Sequence, residues 1–200
     1  VKFGAYYGGS SKRNIKNVDL KNNRKNTWGT GLIFNHEIDS IQNVTVAAGF
    51  TRQISENANK TAYYSNAYAL GLAYNFVHTT YGLDLAHKDT KNKGGAGNKV
   101  KNNEVTAVIR QGLNEDWNVY AMYSYKTEKT LPVGSAYSKS TDRQFLVGTE
   151  YYVFKQGSVK VKPFIEWQAT RTKYENTFDK DSGKQLDRSR DFKTVIGLRA

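Results

Sequence analysis

Charged side chains recur at alternate positions along several segments of this 200-residue sequence, and that spacing is the first chemistry to account for. Lys2, Asp84, Glu104, Arg110, Lys126, Glu150, Lys160, Lys162, Glu166, Lys193 and Arg199 all lie in segments whose intervening positions are largely apolar. Successive side chains of an extended strand point to opposite faces, so these charges share one face and the apolar residues the other. A charged face is costly unless water reaches it, which predicts a hydrated wall. Basic residues outnumber acidic ones in this set, a bias that concentrates anions in a narrow aqueous space. For each residue the competing reading is a solvated or salt-bridged wall position with no selectivity role.

Catalytic chemistry finds little support. The three histidines are His36, His78 and His87, and only His87 has carboxylates close in sequence, Asp84 and Asp89. Asp84 and His87 are three positions apart and therefore point to opposite faces of a strand, with His87 on the apolar side. No phosphate loop, zinc motif or nucleophile elbow is present. With no cysteine, a disulfide framework, a thiolate metal site and a cysteine nucleophile are excluded. No cofactor and no metal is expected. The net charge of +12 invites a nucleic-acid reading. Its distribution argues against one: Lys12, Arg13, Lys16, Lys21, Arg24 and Lys25 fall in a loop segment, other charges alternate singly along strands, and no recognition helix accompanies them. The loop cations fit two roles, binding anionic lipopolysaccharide or steering anionic solutes, both weakened by salt.

The elements that must position these charges are strands. Mean hydropathy is -0.70, and no stretch approaches the ~20 consecutive apolar residues of a spanning helix, so any membrane crossing must use strands. Period-two alternation runs from end to end. One face reads Trp28, Thr30, Leu32, Phe34; then Tyr68, Leu70, Leu72, Tyr74, Phe76; then Tyr81, Leu83, Leu85. It continues with Val105, Ala107, Ile109; Val119, Ala121, Tyr123, Tyr125; Phe145, Val147, Thr149, Tyr151, Val153; Val159, Val161, Pro163, Ile165, Trp167; and Phe192, Thr194, Ile196, Leu198. With residues 1–9 and 44–52 this makes about ten strands in one domain spanning 1–200.

Long polar connections (10–26, 53–63, 88–103, 128–141, 174–189) alternate with short turns (36–43, 77–79, 114–116, 155–158). Long loops on one side and tight turns on the other are the arrangement of outer-membrane barrels, which places the turns and the C-terminal end in the periplasm. Trp28, Phe34, Phe76, Trp117, Tyr125 and Tyr151 fall near strand ends, where interfacial aromatic girdles belong. The alternative is a soluble β-sandwich or lipocalin-like barrel whose apolar residues point into a core. Pro163 breaks strand rules because it lacks a ladder donor, and it predicts a bulge or a local gap in pairing.

Residues 143–153 (RQFLVGTEYYV), 159–168 (VKVKPFIEWQ) and 191–200 (DFKTVIGLRA) resemble the closing strands of the general trimeric porins of Gram-negative bacteria. The resemblance is strongest over the last sixty or so residues. It implies an all-β fold, an antiparallel transmembrane β-barrel, with about ten strands forming the C-terminal part of a sixteen-stranded porin in the outer membrane. It also implies a homotrimer that passes small hydrophilic solutes and ions passively, surrounded by outer-membrane lipid and lipopolysaccharide. In that family a basic wall faces an acidic constriction loop across the pore. Arg110, Lys160, Lys162, Lys193 and Arg199 are the candidates for the basic wall, and Lys126, Glu150, Glu166 and Asp84 extend the pore lining. The constriction loop itself would belong to a preceding segment.

Family members close on a terminal aromatic. Here Ile196, Leu198 and Ala200 set up the alternation without reaching it, so about two further residues are expected. Two rivals stand beside the porin reading. One is a complete small barrel acting as a surface interaction protein or substrate-specific channel; the other is an outer-membrane hydrolase using His87.

Overall fold

A computed structural model describes residues 1–8, 23–56, 62–92, 99–132, 136–156, 159–178 and 183–199. The described residues contain no helix, and they form eleven strands: β1 (Lys2–Gly8), β2 (Asn23–Asp39), β3 (Gln42–Glu56), β4 (Ala62–Phe76), β5 (Thr79–Asn92), β6 (Lys99–Gly112), β7 (Trp117–Leu131), β8 (Ser138–Tyr151), β9 (Phe154–Gln156), β10 (Val159–Glu175) and β11 (Arg188–Arg199). Each strand pairs antiparallel with the next, in the order β1-β2-β3-β4-β5-β6-β7-β8-β10-β11, with the short β9 also on β10. The sheet is not closed, since β1 and β11 are its two edges.

The expected ten strands become eleven because a bulge splits one of them. Phe164 faces Glu150 of β8, whereas Val161 faces Phe154 of β9, so Tyr151, Tyr152 and Val153 stand against only Lys162 and Pro163. The extra residue reverses the side-chain alternation. Val153, read from the sequence as a continuation of the apolar face, therefore has no register partner, although its amide bonds the Val161 carbonyl, and Phe154 resumes that face opposite Val161.

The strands also run beyond their apolar segments. Most are 14 to 17 residues long where the alternation indicated ~9 to 11. Ladder hydrogen bonds need no apolar side chain, so pairing continues into segments where both faces are polar. The segment 36–43, read as a turn, narrows to Ser40 and Ile41, with Asp39 Oδ1 accepting the Ile41 amide at 2.9 Å. Val77 and His78 alone join β4 to β5, and Val77 adopts a left-handed φ of 54°. In the next turn Asn114 Oδ1 accepts the amides of Asp116 and Trp117 at 2.9 and 2.8 Å, the local bonding that makes Asn a turn former. The short connections lie at one end of the sheet with Val1 and Arg199, and the long ones at the other.

Among the described residues no hydrophobic side chain is buried. Register places Trp28, Leu32, Leu70, Leu72, Leu83, Leu85, Val105, Ile109, Phe145, Ile165 and Trp167 on one surface, all at least 37% exposed. A sandwich or lipocalin-like core would bury these residues under a second layer, and among the described residues none is buried. The six sequence-expected girdle aromatics, Trp28, Phe34, Phe76, Trp117, Tyr125 and Tyr151, all lie on this apolar face.

The opposite face carries every side-chain hydrogen bond that skips a strand among the described residues. Tyr6 on β1 bonds Thr51 on β3 at 2.6 Å, and Tyr120 on β7 donates to Glu166 on β10 at 2.7 Å. Arg199 on β11 reaches Glu150 on β8 at 3.0 Å and Tyr120 on β7 at 3.2 Å. Neighbouring strands are ~4.8 Å apart, so such reach is easiest when the sheet curls toward this face. Glycine opens the path. Tyr6 lies across Gly29, its direct cross-strand partner, to reach Thr51; Tyr120 lies across Gly148 to reach Glu166. A Cβ on either glycine would sit 2.6 Å from the ring.

Candidate functional site

The polar face near the short-turn end holds the densest charge cluster. Strand β6 supplies Arg110, β7 Tyr120, β8 Glu150, β10 Lys162 and Glu166, and β11 Arg199, each at a position whose parity selects this face. Glu150 is the hub and only 4% exposed. It accepts from Arg110 at 2.5 Å, from Lys162 at 3.3 Å and from Arg199 at 3.0 Å. Glu166 accepts from Arg199 at 2.5 Å and from Tyr120 at 2.7 Å. Charge-assisted bonds of this kind hold a carboxylate more firmly than neutral ones, and the two guanidiniums keep fixed donor geometry.

Aromatic rings complete the cluster. The Arg199 guanidinium lies 4.0 Å from the Phe164 ring centroid, and the Lys162 ammonium 5.1 Å from that of Tyr152. Phe164 in turn lies over its cross-strand partner Gly197, where a Cβ would meet the ring at 2.7 Å. Arg199 is thus fixed from several sides and still 40% exposed. Three cations meet two carboxylates, leaving a small positive excess open to solvent on one side.

The sequence-predicted pore-lining residues divide accordingly. Arg110, Glu150, Lys162, Glu166 and Arg199 come together in this cluster. Lys193 lies further along the polar face and pairs with Asp191 at 3.4 Å. Lys126 stands between its cross-strand neighbours Glu104 and Asp142 with no ion pair among the described residues. Asp84 lies over Gly71, and Lys160 is exposed near the short-turn end. Tyr120 and Phe164 were not singled out by sequence reading. The usable signal was parity, since both interrupt the small or polar face with a ring.

Register also adds Glu37, Lys88, Glu128, Asp142, Lys155 and Asp191 to the polar face, so basic residues there exceed acidic ones by only one among the described strands. The excess seen in the sequence becomes an axial bias. Lys2, Arg110, Lys160, Lys162 and Arg199 outnumber Glu37 and Glu150 toward the short-turn end, while Glu104, Glu128, Asp142 and Asp191 outnumber Lys88 and Lys126 toward the long-loop end.

His87 falls on the apolar face, stacked on Tyr68 at 6.2 Å, with Nδ1 bonded to Asn103 at 2.6 Å and Nε2 3.3 Å from Asp89. Both ring nitrogens are engaged and Asp84 is on the other face, so the structure does not bring Asp84 and His87 together. No group of His, Asp or Glu among the described residues is arranged to hold a metal ion. Lys12, Arg13, Lys16 and Lys21 lie outside the described residues, as do the side chains of Arg24 and Lys25.

The chain matches no protein-family model. No curated protein matches it either.

Proposed function

We propose that this chain forms the wall of a porin-type outer-membrane channel, through which small hydrophilic solutes and ions diffuse passively. The observation that carries this reading is the division of one continuous sheet into an apolar face with no buried hydrophobic side chain among the described residues and a charged face whose side chains bond across intervening strands. In water the first would be exposed at great cost; in a bilayer it meets lipid, and the second encloses water. From Tyr68 to Phe76, aromatic to aromatic, β4 rises roughly 27 Å. At the ~40° tilt usual in such barrels this is roughly 20 Å of height, close to the ~25 Å apolar band.

The cluster around Glu150 then stands near the periplasmic mouth, with its cationic excess favouring anions mildly. The sixteen-stranded barrel implied by the resemblance would place further strands between the edges β1 and β11, and the trimer would assemble from such barrels. His87 keeps a structural place on the outer surface and the channel carries out no catalysis. Planar-bilayer conductance, with the reversal potential measured under a salt gradient, tests the reading. Ohmic conductance with a modest anion preference supports it; absence of conductance from inserted protein refutes it.

A further inference from the structure

A row of like charges crosses the apolar face where it gives way to the long-loop end. Arg143 of β8 stands directly opposite Arg171 of β10, which stands directly opposite Arg190 of β11. Beside this row Lys173 faces Arg188. Like charges directly opposed across strands destabilise a sheet. Acidic neighbours offset the outer pair, with Lys173 3.8 Å from Glu175 and Arg188 3.7 Å from Asp187. Among the described residues no carboxylate pairs with Arg143, Arg171 or Arg190; Arg143 only meets the Tyr125 ring, 6.0 Å from its centroid. All three arginines are exposed.

The next row toward the turns is apolar: Phe145, Ala169 and Phe192 are directly opposed, and Trp167 contacts both rings, at 6.5 and 6.2 Å. The face thus offers guanidinium forks across a width of roughly 10 Å, bordered on one side by aromatic surface. A free anion would use only the forks. An amphiphile with a phosphorylated headgroup uses both parts, its phosphate on the arginines and its chains along Phe145, Trp167 and Phe192. We propose that Arg143, Arg171 and Arg190 form a binding site for the phosphate headgroup of an anionic lipid. The assignment rests on the membrane-channel reading, which sets the apolar face against a bilayer.

The site is testable with the full chain reconstituted in vesicles of phosphatidylcholine containing graded phosphatidic acid, with inorganic phosphate as the competing soluble anion. The triple variant Arg143→Gln/Arg171→Gln/Arg190→Gln should need about ten-fold more phosphatidic acid for half-saturation, as expected when charged donors to phosphate are lost. Its conductance in neutral bilayers should match that of the parent. Arg171→Gln alone supplies a sign test that misfolding cannot mimic. In neutral detergent it should raise the unfolding midpoint by relieving the repulsive row, and in phosphatidic-acid micelles it should lower it. Equal phosphatidic acid binding by parent and triple variant overturns the site. Full displacement of the lipid by millimolar phosphate overturns the lipid assignment in favour of a free-anion site. Failure of the parent chain to insert into either vesicle type defeats the membrane reading itself, an outcome distinct from insertion without arginine dependence.

Discussion

Replacing Glu150 with Gln changes one charge at the centre of the candidate site while keeping its volume. In the parent, three cations face Glu150 and Glu166; in the variant they face Glu166 alone. One unit of charge roughly 6 Å from a permeating ion in water is worth about 0.7 kcal/mol, about three-fold in relative occupancy. Screening at physiological ionic strength brings this to about two-fold. Anions gain this factor and cations lose it, so the anion-to-cation permeability ratio, read from the reversal potential across a planar bilayer under a potassium chloride gradient, should rise about four-fold. Stability should fall at the same time. Breaking a fully buried ion pair costs about 3–5 kcal/mol. Here Arg110, Lys162 and Arg199 are 42%, 20% and 40% exposed and regain water, so a loss of about 1–2 kcal/mol is expected in chemical unfolding followed by circular dichroism. A ratio that stays constant or moves toward cations, in a variant that still inserts and conducts, would refute placing this face along the conduction path.

Further outcomes follow from the two faces and their turns. Gly148→Ala places a Cβ 2.6 Å from the Tyr120 ring, so it should cost about 1–3 kcal/mol, with a smaller loss in a Tyr120→Ser background, measured by a double-mutant cycle. The three tryptophans, Trp28, Trp117 and Trp167, all lie on the apolar face, so lipids brominated on their acyl chains should quench the emission of each; a tryptophan reached only by an aqueous quencher would contradict the facing. Because the chain has no cysteine, Gln144→Cys and Val147→Cys report opposite faces of β8 cleanly. A charged thiol reagent should label the first and reduce conductance while sparing the second. Val77→Gly should stabilise the β4–β5 turn by about 1 kcal/mol in thermal unfolding, since a β-branched residue at φ 54° is strained.

The two faces were legible in the amino-acid sequence because period-two alternation is a property of the strand itself. Leu70, Leu72, Leu83 and Leu85 on one side, and Asp84 and Arg110 on the other, required no knowledge of neighbours. Strand ends were less legible. Beyond Asn103 toward Lys99, and beyond Tyr125 toward Leu131, both faces become polar and the alternation fades, although pairing continues. Cross-strand register was not legible at all. That Glu150 would gather Arg110, Lys162 and Arg199, or that Arg143, Arg171 and Arg190 would line up, depends on which residue faces which across several strands. Composition says nothing of it. The near-even balance of charge on the polar face was hidden for the same reason, because Asp142 and Asp191 lie in segments read from sequence as loop or strand margin.

Pro163 ties the irregular part of the sheet to the candidate site. Antiparallel residues direct their amide groups alternately to one neighbour and the other. The Val161 carbonyl accepts the Val153 amide at 3.0 Å, so Val161, and with it Pro163, faces the β8–β9 side. The donor that proline lacks is missing where the bulge interrupts pairing. The Tyr152 amide, displaced from the ladder, bonds the carbonyl of Asp116 in the β6–β7 turn at 2.9 Å, so it is not left unsatisfied. That turn is drawn in further by Lys155, which pairs with Asp116 at 2.6 Å. The reversed alternation matters for the chemistry. Tyr151 remains on the apolar face, while the Tyr152 ring centroid lies 4.5 and 5.1 Å from the ammonium groups of Lys155 and Lys162. Lys162 is consequently held both by an aromatic face and by Glu150. A proline that would weaken a regular strand here sits between Lys162 and Phe164 of the site, where the β8–β10 ladder stops and a tyrosine of the bulge meets one of the site's cations.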